Sequence, residues 1–294
     1  MFRLLCGVSL LALFVSAVTA ADDDTVTFKD YKAKVGDRTR STEEERATTR
    51  TVIVRDGKRE DKVEKKSKVV IYVSEVLAVK AGEKKPTRVQ RTYEKAEETG
   101  EDGIEKMPLH GKTVVIEKKG DKYAFTDGDG KRLPEAAEAV LKKEFEKKTT
   151  DDAFDKLIPR RPLKSGETWK LELDDIVKEM TKDTFTVDKK KVAGTGTLAR
   201  VYTFAGHRYG EFELSMNIPL TAMTGATPID LKPGSTMKLS VHGDGNVEGT
   251  EPDGVATMRM TMVMLFDVPD GNASIRVDAL MTMATETLPP RKRD

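Results

Sequence analysis

The segment Met258-Arg259-Met260-Thr261-Met262-Val263-Met264 decides the fold, because a methionine occupies every second position. In a β-strand, successive side chains point to opposite faces, so residues two positions apart share one face. Three further segments carry apolar residues at the same period, namely Phe212–Ile218, Met237–Val241 and Ile275–Met283. Four successive segments of this kind predict an antiparallel sheet with one buried face and one face in water.

The stretch from Pro134 to Lys148 has the clearest helical period in the chain after its first 20 residues. Ala137, Val140, Leu141 and Phe145 recur at three- and four-residue spacing, which is typical of an amphipathic helix. We therefore predict an α+β, β-dominated fold. A long, curved, half-barrel-like antiparallel sheet is expected, with this central helix covering its concave side.

Composition divides the chain into five regions. They are residues 1–20 as a signal peptide, 21–133 as an N-terminal β region, 134–166 as a helical segment and loop, 167–288 as a C-terminal antiparallel β region, and 289–294 as a tail. A second short helix is expected from Asp151, ended by Pro159. Residues 21–288 are predicted to form one domain, and it stays open whether the two β regions share a sheet.

The N-terminal β region shows clear turns but less regular strands. Asp56-Gly57 predicts a tight hairpin turn, and residues 119–121 predict a second one. The polar stretch from Val35 to Arg50 fits either an edge strand or a loop.

Residues 1–20 have the pattern of an export signal. Arg3 supplies the positive charge, Leu4 to Val15 the short apolar core, and Val18-Thr19-Ala20 the small-residue cleavage site. The chain's single cysteine, Cys6, lies within the apolar core. We therefore expect an exported protein, periplasmic or extracellular, cleaved near Ala20 and without disulfides.

The charge balance argues against a nucleic-acid partner. Charged residues make up 34% of the chain, but the signs are mixed and the formal net charge is +1. After the signal, no apolar run is long enough to predict a transmembrane segment in the mature chain.

The methionines are the most unusual feature of the predicted sheet, whose core would ordinarily be rich in Val, Ile and Phe. Methionine is flexible and polarisable, and it is over-used on surfaces that fit varied apolar partners. Two interpretations stay open: the methionines fill an irregular core, or they line a pocket for an acyl chain or a similar ligand. The candidate ligand-binding residues are Met216, Met237, Met258, Met260, Met262, Met264, Met281 and Met283 on the sheet, with Leu141 and Phe145 on the helix.

Neither the methionines nor the histidines have the spacing of a metal site along the chain. Met-x-Met repeats offer thioethers, which are ligands for Cu(I), but side chains at i and i+2 of a strand lie about 6.6 Å apart. His110, His207 and His242 each lie beside a glycine, read as turn residues and lack zinc-site spacing. We therefore predict no metal and no cofactor.

Catalytic motifs are also lacking. No nucleophile elbow or phosphate-binding loop occurs in the sequence. Carboxylate pairs such as Asp174-Asp175, or Glu211 with Glu213, could in principle serve a glycan hydrolase. Such pairs are expected by chance in a chain with fifty carboxylates, so we predict no enzymatic activity.

Three phrases carry a resemblance: Met107 to Val114, Leu163 to Trp169, and Phe185 to Asp188. They resemble a loosely defined group of exported, β-rich bacterial proteins of unknown function, with a Pro-Leu-x-Gly-Lys-Thr hairpin and a Gly-x-Thr-Trp strand. The resemblance implies an envelope location and supplies no catalytic residues. At the level of architecture, the expected sheet and helix are similar to lipoprotein-carrier folds of the bacterial envelope.

The sequence thus predicts a non-catalytic, exported envelope binding or scaffold protein. Its expected partner is an apolar or lipid ligand, held on the methionine-rich face, or another envelope protein. The alternatives are a lipid or lipoprotein carrier in the strict sense and a glycan-directed hydrolase. A carrier requires an open cavity beneath the central helix, whereas a scaffold requires that volume to be filled.

Overall fold

A computed structural model describes residues 25–81, 83, 85–120, 122–145, 156–181, 184–224, 228–252, 254–268 and 271–289. The predicted signal peptide, the start of the predicted second helix at Asp151, residues 269–270 and nearly all of the tail lie outside the described residues. The first half contains β1 (Thr25–Val26), β2 (Arg38–Arg55), β3 (Lys58–Ala78), β4 (Arg88–Gly100), β5 (Gly103–Lys106), β6 (Thr113–Lys119), β7 (Lys122–Asp127) and helix α1 (Glu135–Phe145).

The second half is mostly strand. It contains β8 (Leu163–Lys164), β9 (Thr168–Lys170), helix α2 (Asp174–Thr181), β10 (Phe185–Val187), a short 3-10 helix (Lys189–Lys191), β11 (Ala193–Phe204), β12 (His207–Met223), β13 (Ile229–Asp230), β14 (Thr236–Asn246), β15 (Gly254–Val268) and β16 (Gly271–Leu288). The β-dominated, antiparallel character predicted from the sequence is confirmed.

One sheet unites the two halves of the chain. Its main path runs β7-β6-β4-β3-β2-β16-β15-β14-β12-β11-β9, so two meanders meet where the last strand pairs with β2. That seam is long: all 18 residues of β16 pair with the 18 residues of β2. The question of a shared sheet is therefore answered, while the half-barrel-like curvature stays a prediction.

The hairpin between β2 and β3 is set by the turn that the sequence predicts. Asp56 and Gly57 both have positive φ angles, 49° and 73°. This is the signature of a type I′ turn, whose twist matches that of the flanking strands. Arg55 consequently pairs with Lys58, and the ladder continues to Arg38 opposite Glu75.

Two hydrophobic cores lie on the same face of this sheet, because directly opposed residues in an antiparallel pair point to the same side. We define the N-terminal core as the cluster of Val70, Tyr93, Val114, Ile116 and Phe125 with α1. The C-terminal core is the larger cluster on β11, β12, β14 and β15.

Different segments cover the two cores. Ala137 and Leu141 of α1 are completely buried in the N-terminal core. The C-terminal core is covered by α2, through Ile176 and Val177, and by the segments around Phe28 and Leu157. Helix α2 was not expected from the sequence. Because its side chains are buried in the C-terminal core, α1 is not the single cover of the sheet.

The cover of the C-terminal core is fixed by one tryptophan. Trp169 lies across Gly196, where a Cβ atom would come within 2.3 Å of the indole. Its Nε1–H donates a hydrogen bond of 2.8 Å to the carbonyl oxygen of Leu157. Glycine at position 196 therefore permits the close approach that anchors residue 157.

Candidate functional site

The methionines of neighbouring strands share one face of the sheet, as their spacing predicts. Met258 on β15 lies directly opposite Met281 on β16. Met262 lies opposite Met237 on β14. Leu239, also on β14, lies between Met216 of β12 and Met260 of β15 and is opposite both.

Burial on this face decreases from β14 towards the centre of the sheet. Met216, Met237 and Met264 are between 2% and 6% exposed and belong to the C-terminal core. Met283, on β16, is 41% exposed. Five methionines are partly or largely exposed, and we call them the methionine strip: Met258, Met260, Met262, Met281 and Met283.

The structure does not bring Leu141 and Phe145 to the methionines. Leu141 is buried in the N-terminal core, and Phe145 packs against Tyr123 and Phe125, with ring centroids 5.3 and 6.0 Å away. The eight methionines and the two helical residues therefore occupy two separate parts of the sheet face. The sequence could not separate them, because it did not show which strands α1 contacts.

Between the two cores, the same face is polar. Glu43 lies opposite Met283 and Glu45 opposite Met281, both on β2. Glu45 in turn faces Lys68 on β3. The methionine strip thus has a charged border on its β2 side.

The N-terminal core contains a buried cation. The guanidinium carbon of Arg91 lies 4.0 Å from the ring centroid of Tyr72, and its Nη1 donates to Tyr93 at 3.1 Å and to Glu144 of α1 at 2.6 Å. The Tyr72 hydroxyl donates to Glu43 at 2.9 Å. Burial raises the pKa of Tyr93 to about 12 and raises that of Tyr72 further above its ordinary value. Both phenols therefore stay neutral, and the network ties α1 to the sheet.

Two concavities lie near the polar border. One of about 20 Å³ is lined by Glu43, Glu44, Glu45, Lys68, Val70 and Met281. The other, of about 390 Å³, is open and highly charged, and it lies at the β4–β5 hairpin between Glu64 and Glu105. The first is large enough for about one water molecule.

The predicted carboxylate pairs lie elsewhere. Glu211 and Glu213 point to the sheet face opposite the methionines, where His242 lies 3.3 Å from Glu211 and 3.7 Å from Glu213. Glu211 also pairs with Arg200. Asp175 at the start of α2 accepts a hydrogen bond of 2.6 Å from Lys156, which lowers the pKa of its carboxyl group. A general acid for glycoside hydrolysis needs a raised pKa instead.

Among the described residues, no group of three or more His, Cys, Asp or Glu side chains is placed to hold a metal ion. Within the same ranges, neither helix has the length and apolar character needed to cross a membrane.

No protein-family model and no curated protein matches the chain. Among solved structures, an outer membrane channel from Pseudomonas putida F1 is similar at 9% identity and a TM-score of 0.17, over 87% of this chain and 98% of that one. OpdQ from Pseudomonas aeruginosa is similar at 8% identity and a TM-score of 0.14, over 86% of this chain and 98% of its own. Similarities at this level identify neither a fold nor a function.

Proposed function

We propose that the protein is an exported, non-catalytic binding module that holds an apolar chain, such as the acyl chain of a lipid, on the methionine strip. The observation that carries the proposal is the burial gradient. Met258, Met260 and Met262 pack against the C-terminal core but are only partly buried, and the apolar side chains of β16 continue on this face to the exposed Met283. Export rests on the pattern in residues 1–20.

The strip suits an acyl chain in chemistry and in length. On this face of β16, Ile275, Val277, Ala279 and Met281 succeed one another up to Met283. Four steps of two residues along a strand span about 26 Å. Methionine side chains adapt their shape to an irregular apolar partner.

We further propose that the sheet curves so that the strip forms a trough. Phe145 packs against β7 and Leu157 receives the hydrogen bond of Trp169 in β9, yet these two residues are only twelve positions apart. A chain of that length spans at most about 43 Å. The ten strand spacings from β7 to β9 would measure about 48 Å in a flat sheet.

Two alternatives receive less support. A carrier that holds lipid beneath the central helix needs space there, but Ala137 and Leu141 fill the underside of α1. A glycan hydrolase needs two carboxylates converging on a cleft, whereas Glu211 and Glu213 both contact His242 on an open sheet face.

The affinity is expected to be modest. Half-burying a sixteen-carbon chain contributes about 6 kcal/mol at about 0.8 kcal/mol per buried methylene, before the costs of association. About 6 kcal/mol alone corresponds to a Kd of about 40 μM, so we expect a Kd for palmitate weaker than about 40 μM.

Native mass spectrometry of the full chain with palmitate, titrated upward from about 100 μM because the expected site is weak, tests the proposal. The informative variant is Met281→Asn, which places a polar group in the strip. Its matched control is Leu280→Asn, the neighbouring position on the opposite face, with circular dichroism to verify folding. Loss of the palmitate adduct in Met281→Asn alone supports the proposal. An absent adduct in the unmodified chain, or equal adducts in both variants, contradicts it.

A further inference from the structure

The register of β15 and β16 brings thioethers closer together than spacing along one strand allows. Met258 and Met281 are directly opposed, and the Cβ atoms of opposed residues lie about 4.5–5.5 Å apart. Residues at i and i+2 of one strand are about 6.6 Å apart. Met260 and Met283 occupy the diagonal positions next to this pair.

The surroundings leave room for the sulfur atoms to converge. Ala279 lies opposite Met260, and Ala256 lies opposite Met283, so the neighbouring positions on this face are small. A methionine side chain has three rotatable bonds and adapts to irregular space. Two or three sulfur atoms can therefore approach one point above the Met258–Met281 pair.

Space and charge beside this pair favour a small cation. The concavity of about 20 Å³ next to Met281 is large enough for one water-sized body. On the methionine face this concavity is lined by Glu43 and Glu45 with one ammonium group, that of Lys68, so two carboxylates face one positive charge. A monovalent ion bound by neutral thioethers would lie in a negative field.

We propose that Met258 and Met281, with Met260 and Met283, form a binding site for a soft monovalent metal ion, Cu(I). Thioether sulfur is a soft ligand and selects Cu(I) among biological metal ions. Among the described residues, no group of three or more His, Cys, Asp or Glu side chains is placed to hold a harder ion. His242 points to the opposite face, by the pairing of β12 and β14. The site does not depend on the binding of an apolar chain.

The test is an anaerobic titration of the full chain with Cu(I) in competition with the chromogenic chelator bathocuproine disulfonate. The informative variant is the double substitution Met258→Leu and Met281→Leu, which removes two strip sulfurs and nearly conserves volume. Its matched control, Met216→Leu with Met264→Leu, removes two sulfurs from the buried C-terminal core.

We expect one Cu(I) ion per chain, an affinity lowered by about 100-fold in the strip variant, and no change in the control. The ε-methyl NMR signals of the strip methionines should shift on binding, while those of Met216 and Met264 stay in place. Failure of the unmodified chain to compete with the chelator overturns the proposal, as does equal affinity in the two double variants. Because the titration contains no lipid, its result is independent of the palmitate experiment.

Discussion

The two cores of the sheet differ in how they are closed. The N-terminal core is covered by α1, and aromatic rings and the Arg91 network hold that helix on the sheet. The C-terminal core is aliphatic and methionine-rich, and its side chains continue into the strip. Both cores lie on one face, so strand parity alone does not decide which apolar residues are buried. The covering segments do.

The largest expected difference in stability is between truncating a side chain in the N-terminal core and truncating one in the methionine strip. Leu141→Ala should lower the free energy of unfolding by about 3 kcal/mol, because it leaves a cavity in a completely buried position. Met281→Ala should cost about 1 kcal/mol, because part of that side chain is already in water. Urea denaturation of both variants measures the two values. Equal losses would mean that the strip is covered in solution.

The next effect concerns two arginines stacked on tyrosines. Arg91 is 13% exposed and Arg200, which lies over Tyr202, is 62% exposed. Arg91→Met should destabilise the protein by about 2 kcal/mol, since it removes a buried cation–π contact and charged hydrogen bonds. Arg200→Met should cost less than about 0.5 kcal/mol, because water screens the exposed pair. A reversed order in thermal unfolding would show that the Arg91 network does not hold α1.

The smallest effect lies in the β2–β3 hairpin, on the sheet face opposite the two cores. Arg50 donates a hydrogen bond of 2.9 Å to Asp61, which lowers the pKa of that carboxyl to about 2. A carboxyl whose pKa is lowered in the folded state stabilises it above its ordinary pKa of 3.8, and this contribution is lost as the pH falls through about 2.

Arg50→Met should therefore return the pKa of Asp61 towards 3.8, as measured by carboxyl-carbon NMR titration. Arg59→Met is the control, because Arg59 makes only the longer contact of 3.2 Å with Asp61. A larger change of the Asp61 pKa in Arg59→Met than in Arg50→Met would show that Arg59, and not Arg50, causes the low pKa.

In the C-terminal strands, the sequence predicted which side chains share a face, because one face there is apolar and the other polar. Alternation of polarity did not reveal β2. Its sequence fitted an edge strand or a loop, but β2 lies in the centre of the sheet. Its residues alternate little in polarity, since most of them are partly exposed on both faces. Helix α2 was missed because Asp174 and Asp175 were considered as a carboxylate pair rather than as acidic residues of a first helical turn.

The candidate site was predicted in part for a related reason. Sequence parity placed all eight methionines on apolar faces, but it carried no information on the neighbours across strands. The opposition of Met258 to Met281, and of Met281 to Glu45, follows from register. Register depends on turns and on the distant pairing of β2 with β16.

Oxidation of individual methionines by dilute hydrogen peroxide, followed by tandem mass spectrometry of peptides, tests most directly whether the strip is open. Sulfoxide formation follows exposure. We predict that Met283 reacts first and the other strip methionines next, while Met216, Met237 and Met264 react last. Equal rates across the two groups, or faster reaction of the buried three, would contradict the division of this face into a closed core and an open strip.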